Sequence, residues 1–261
     1  MSAETSSTSI TTTITTSTTI DTTTNTITTI TTGTTTIDIT TTIATSTIAT
    51  TTTGIPNPPY VYNPNGTPTA GIPNPTYAYD PDTDPHGGED DNWNSQVIPV
   101  AVSLYGFSSS TLWLSSNGII SLSGPDQYYP YGAGLPSSDI PDPDIPNDTA
   151  APFWYDLVLD PGRGHGIWWS YVNGIVYVEY ICTSFSDSSR YFHFQVEFPT
   201  ATPNIVVYRY YEMNTNVYAF FGVQKDSTTG YGFPHSTGSP AQGWVVTCDT
   251  TTTPGICVRT A

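Results

Sequence analysis

The stretch Gly166-Ile-Trp-Trp-Ser-Tyr-Val172, Asn173-Gly174, Ile175-Val-Tyr-Val-Glu-Tyr-Ile-Cys182 decides the fold class. Two runs rich in β-branched and aromatic residues flank an Asn-Gly pair. Those two residues tolerate the positive φ that a two-residue hairpin turn demands. Upstream, Asn117-Gly118 turns Thr111-Leu-Trp-Leu-Ser115 into Ile119-Ile-Ser-Leu122 in the same way. Downstream, Tyr191-Phe-His-Phe-Gln-Val-Glu-Phe198 alternates, with Tyr191, His193, Gln195 and Glu197 on one face and Phe192, Phe194, Val196 and Phe198 on the other. Residues 97–104, 204–211, 219–224 and 243–248 also read as strands. No segment sustains a helical period. Many short strands joined by turn residues predict an all-β fold, an antiparallel two-sheet β-sandwich.

The 261 residues fall into unlike parts. Residues 1–53 are about half threonine and contain no Lys, Arg or aromatic residue. Such a segment cannot build a core. Its hydroxyls suit O-linked glycans, which makes it a disordered low-complexity stalk; a bare disordered tail is the alternative. Gly54-Ile-Pro-Asn-Pro-Pro-Tyr60-Val-Tyr62-Asn-Pro64 returns as Gly71-Ile-Pro-Asn-Pro-Thr-Tyr77-Ala-Tyr79-Asp-Pro81. The prolines favour an extended path, so residues 54–81 read as a semi-rigid spacer, with residues 82–261 as the β domain. All six Trp lie between Trp93 and Trp244.

Net charge is −17, and the sequence holds five Lys and Arg in all. Nucleic acid and anionic membranes attract basic clusters, and none exists, so both partners are set aside. No apolar run is long enough to insert in a membrane. Of the three cysteines, Cys248 and Cys257 are spaced to close a disulfide in an exported protein, while Cys182 reads as a buried thiol. A Cys182–Cys248 pairing stays open. The composition suits a secreted, glycosylated protein. The start, Met-Ser-Ala-Glu-Thr-Ser-Ser, lacks the regions of a signal peptide, which conflicts with the extracellular expectation: a start upstream of it is the favoured reading, with another export route or another compartment as the alternatives.

Several short motifs follow one another in a familiar order. Tyr105-Gly106 and Leu112-Trp-Leu-Ser-Ser-Asn-Gly-Ile-Ile-Ser121 resemble the "YG…VxVSSNGxIxF" opening of nidogen-like (NIDO-like) extracellular domains. Leu135–Pro141 with Thr149-Ala-Ala-Pro-Phe-Trp-Tyr-Asp156 resembles their "LP…IAPFWxD" segment. The Gly166–Tyr180 hairpin, Phe194–Phe198, Asn204–Tyr210 and Phe221-Gly-Val-Gln224 resemble the strands that follow. The resemblance spans residues 95–226 and implies a β-rich, non-catalytic adhesion module. The Thr-rich stalk before it is similar to the layout of fungal surface proteins. Family members often carry two acids after the Phe-Trp pair, whereas only Asp156 follows Trp154 closely. That departure weakens any metal role carried over to this segment.

Candidate sites come next. Asp80, Asp82, Asp84, Glu89, Asp90 and Asp91 crowd one short run, and alternate Asp residues suggest calcium, the one cofactor the sequence points to. Pro85 stands where an EF-hand loop needs glycine, so a solvated acidic linker is the preferred reading of Asp80, Asp82, Asp84 and Glu89. Asp139, Asp142 and Asp144 carry the same ambiguity. His165 lies near Asp156 and Asp160, yet no nucleophile in an elbow-like context accompanies it, and a structural histidine is the better reading. Glu179 and Glu197 alternate within strands and read as structural rather than as a glycosidase pair. Tyr128, Tyr129 and Tyr131 occupy a Pro/Gly-rich loop that could stack on sugars, and Trp168, adjacent to Trp169 on a strand, is the outward aromatic candidate. Asn65 and Asn147 head N-glycosylation sequons. The function expected is adhesion or cell-wall and matrix structure, with a matrix or wall glycan or protein as partner; a carbohydrate-binding module is the alternative.

Overall fold

The computed structural model describes residues 71–82, 89–125, 139–214, 217–233 and 238–259. Fifteen strands are present: β1 (Thr76–Tyr79), β2 (Glu89–Asp90), β3 (Trp93–Leu104), β4 (Phe107–Ser115), β5 (Ile120–Ser121), β6 (Thr149–Trp154), β7 (Leu157–Leu159), β8 (Gly166–Val172), β9 (Ile175–Ser184), β10 (Asp187–Pro199), β11 (Ile205–Met213), β12 (Phe220–Asp226), β13 (Thr229–Gly232), β14 (Val245–Asp249) and β15 (Ile256–Arg259). They form two antiparallel sheets. The larger runs β1-β8-β9-β10-β11-β14-β15, with β7 also on β9 and β2 on β7; the smaller runs β13-β12-β6-β5-β4-β3. Among the described residues there is no helix, hence none long and apolar enough to cross a membrane.

Turn chemistry sets the registers. Asn173 and Gly174 sit at φ 53° and 78°, and Val172 pairs with Ile175 across them. Tyr105 and Gly106 do the same between Leu104 and Phe107, at φ 51° and 82°. This second turn also ties the sheets together. The Tyr105 amide donates to Thr250 Oγ1 (3.0 Å), the Gly106 amide to Asn204 Oδ1 (2.8 Å) and the Tyr105 hydroxyl to the Pro254 carbonyl (2.6 Å).

Between the sheets, Phe192, Phe194, Val196 and Phe198 of β10 meet Leu112, Leu114, Phe153 and Phe221 in one core. Phe194 stacks on Tyr180 at 4.8 Å between ring centres. Both sheets are also covered on their outer faces. Over the smaller one, Ile140 and Ile145 of the segment before β6 pack with Ile119, Ala151 and Trp154. Over the larger one, Ile72 packs with Trp168 and Ile181. The spacer boundary expected at Asp82 therefore moves towards the N-terminus: residues 76–79 are strand β1, paired with β8.

Candidate functional site

The outer face of the larger sheet gathers most of the chemistry. Glu179 on β9 and His193 on β10 are both fully buried, and His193 Nε2 contacts Glu179 Oε1. A buried carboxylate is costly unless its lone pairs are met. Two amides of the N-terminal segment meet them: Gly71 N–H donates to Oε1 (2.6 Å) and Ile72 N–H to Oε2 (3.0 Å). A Cβ at position 71 would stand 2.9 Å from Glu179 Oε1, so a side chain there would have to displace the carboxylate. Ile72 then enters the space between Trp168 and Ile181, and Tyr77 lies 5.0 Å from Trp168, ring centre to ring centre. The Ala78 carbonyl accepts from Asn94 Nδ2 (2.7 Å) and Gln96 Nε2 (3.0 Å) of β3, in the other sheet. Around this slot the face stays polar and paired. Arg209 holds Glu197 through two hydrogen bonds, and Tyr211 donates to Gln195 and packs its ring on His193. Glu212 nearby has its carboxyl pushed up by burial, against the opposing effect of His193.

A second cluster is acidic. Carboxylate oxygens of Asp90, Asp91 and Asp156 lie within 4.8 Å of one another, the one such group among the described residues. Asn117 organises it: its Nδ2 donates to Asp91 (2.7 Å), and its Oδ1 accepts the Leu157 amide (2.9 Å). Gly118 follows at φ 75°, where a Cβ would fall 2.2 Å from the Phe153 carbonyl oxygen. The Ser-Ser-Asn-Gly turn and the Pro-Phe-Trp-Tyr-Asp segment, distant in sequence, thus form one unit. Burial, then the charges of Asp91 and Asp156, push Asp90 up to about 6; burial and Asp91 raise Asp156 as well.

The other candidates are dispersed. Trp168 is 4% exposed under Ile72 and Tyr77, which corrects its expected role as an outward platform. Adjacent side chains do point to opposite faces, but here both faces are covered, and Trp169 packs against the main core. Asp80 accepts the Asp82 amide (3.0 Å) and closes a local turn, while Asp82 accepts the Gly162 amide from a segment distant in sequence. Asp84, the Glu89 side chain, Tyr128, Tyr129, Tyr131, Asn65 and the threonine-rich stalk lie outside the described residues. Asn147 is exposed at the edge of an open depression of about 160 Å³ beside Ser123 and Pro146. Asp142 is buried, and its backbone is held by Gln224. His165 is buried and held down at about 4, chiefly by burial; its Nδ1 accepts the Asp160 amide (3.0 Å). Cys248 and Cys257 are joined in a disulfide across β14 and β15, while burial pushes the Cys182 thiol up.

The model of the NIDO-related family matches residues 72–256, from the docked Ile72 to the first residue of β15. The chain belongs to the NIDO-related family. Among curated proteins and among solved structures, no match to the chain is found. The NIDO-related match includes the second Gly-Ile-Pro-Asn-Pro segment from its isoleucine and leaves out the first. Sequence reasoning missed the Glu179 slot. Its signal was available in the repeat, whose glycine, isoleucine and first tyrosine are residues that make the contacts.

Proposed function

We propose that this chain is a non-catalytic extracellular surface or matrix protein, in which a threonine-rich stalk carries one NIDO-related β domain. It works in cell adhesion or cell-wall structure, with a matrix or wall glycan or protein as partner. The family match carries this reading, because NIDO-related domains are in general structural modules of extracellular type. The Cys248–Cys257 disulfide supports it, since such bonds persist in oxidising compartments. So does the chemistry of the buried acids and bases. Glu179 and His165 are spent on backbone amides, and Glu179 and His193 on one another.

The test is expression of the chain, fused behind a secretion signal, in a secreting eukaryotic host. Appearance at the cell surface or in the medium, with beads coated in the protein binding wall or matrix preparations, is the expected result. Retention inside the cell with Cys248 and Cys257 reduced would refute the proposal. Binding on a glycan array that is lost in Tyr128→Ala and Tyr131→Ala would instead make the chain a carbohydrate-binding module.

A further inference from the structure

The Glu179 slot recognises a segment by few features. Two are backbone amides, those of Gly71 and Ile72 on the carboxylate, and a third is the backbone carbonyl of Ala78. The side chains it reads are the absence of one at Gly71, the isoleucine between Trp168 and Ile181, and the Tyr77 ring on Trp168. Every one of these is present in the first copy of the repeat: Gly54, Ile55 and Tyr60 stand where Gly71, Ile72 and Tyr77 stand, and Tyr62 matches Tyr79. We propose that the slot is a binding site for the Gly-Ile-Pro-Asn-Pro-x-Tyr-x-Tyr segment as such, and that residues 54–62 of the same chain are its second occupant.

The differences between the copies set the order of preference. Pro59 replaces Thr76, which is exposed on edge strand β1, where proline is tolerated. Val61 replaces the buried Ala78, and its extra methyl groups must be fitted into a packed position. Seating the first copy also replaces the connection of residues 80–88 by residues 63–88, a loop about threefold longer, which disfavours it about fivefold. The first copy is therefore the minor occupant while the second is intact. It remains a competitor because it is tethered, at the high effective concentration that a short linker gives, whereas a segment from another molecule is not. Exchange of one copy for the other moves the anchoring point by 17 residues along the chain.

Thermal unfolding of three full-length variants tests this. Ile55→Asn is expected to leave Tm unchanged, Ile72→Asn to lower it, and the double variant to lower it further than the two single shifts together, because the substitute occupant is lost as well. A double variant that unfolds with Ile72→Asn would overturn the proposal. Cysteine trapping answers the same question in a chain that keeps the second copy. Ile72→Cys with Ile181→Cys serves as control, and Ile55→Cys with Ile181→Cys is expected to give a cross-linked monomer at lower yield. No cross-link from position 55 while the control forms, or a cross-link that joins two molecules only, would overturn the proposal.

Discussion

The outer faces of the two sheets are covered by similar means and anchored by opposite chemistry. Over the larger sheet, a covering segment presents backbone N–H groups, those of Gly71 and Ile72, and the sheet answers with the carboxylate of Glu179. Over the smaller sheet, the segment presents mainly carbonyls, those of Asp142, Ile145 and Pro146. There the sheet answers with the Gln224 amide group, whose oxygen in turn accepts the Asp142 N–H (2.7 Å). A segment without a ladder of its own leaves backbone groups to be satisfied, and which groups face the sheet decides the residue below. Donors call for an acid, carbonyls for an amide. The charged anchor then needs a further partner, His193, whereas the neutral one does not.

That contrast can be broken at either anchor. Glu179→Gln keeps the shape but turns one acceptor into a donor facing an N–H, and leaves His193 without its carboxylate. The expected loss is about 3 kcal/mol in chemical denaturation, the larger of the two. Gln224→Glu sets carboxylate oxygens against three carbonyls and is expected to cost about 2 kcal/mol by the same measurement. Equal losses from Glu179→Gln and Glu179→Ala, with no loss from Gln224→Glu, would mean that volume rather than polarity matters at these positions.

A smaller effect sharpens the comparison by setting Glu179 against the acid cluster. Glu179 is met by donors, Asp90 by the like charges of Asp91 and Asp156. Because the folded state raises Asp90 from its ordinary value to about 6, the native protein holds a proton there that the unfolded chain has lost. Stability from this group is thus present at low pH and falls as pH rises from about 4 through 6. Asp90→Asn is expected to be more stable than the parent at pH 7 by under about 1 kcal/mol, since the site is partly solvated, and equal to it below about pH 4. Denaturation series at both pH values check the sign.

Much of this architecture is legible in the sequence, and the illegible part has a common cause. The Asn173-Gly174 hairpin and the apolar side of β10 follow from local chemistry, as do the two sheets that those strands imply. The polar side of β10 reads one way only from the chain itself. His193, Gln195 and Glu197 lie on the side of β10 opposite the phenylalanines, yet all are buried or nearly so, because Tyr177, Tyr211 and residues 71–72 cover them. Part of that cover, residues 71–72, comes from a segment more than a hundred residues away. Period-2 alternation identifies the two faces of a strand but not whether a second layer covers the polar one. Trp168 fails as an outward aromatic for the same reason. The proline-rich repeat reads as a spacer because its strand is only Thr76–Tyr79, too short to signal itself beside three prolines. Asp156 reads as an isolated acid because Asp90 and Asp91 reach it only through the pairing of β2 with β7.

Amide hydrogen exchange at Gly71 and Ile72, followed by NMR in the full-length chain, tests the anchoring of the N-terminal segment most directly. Both N–H groups are expected to exchange far more slowly than the amides of residues 1–53, and to lose that protection in Glu179→Gln while β9 and β10 keep theirs. Exchange at 71 and 72 as fast as in the threonine-rich stretch, in the unaltered chain, would contradict the account.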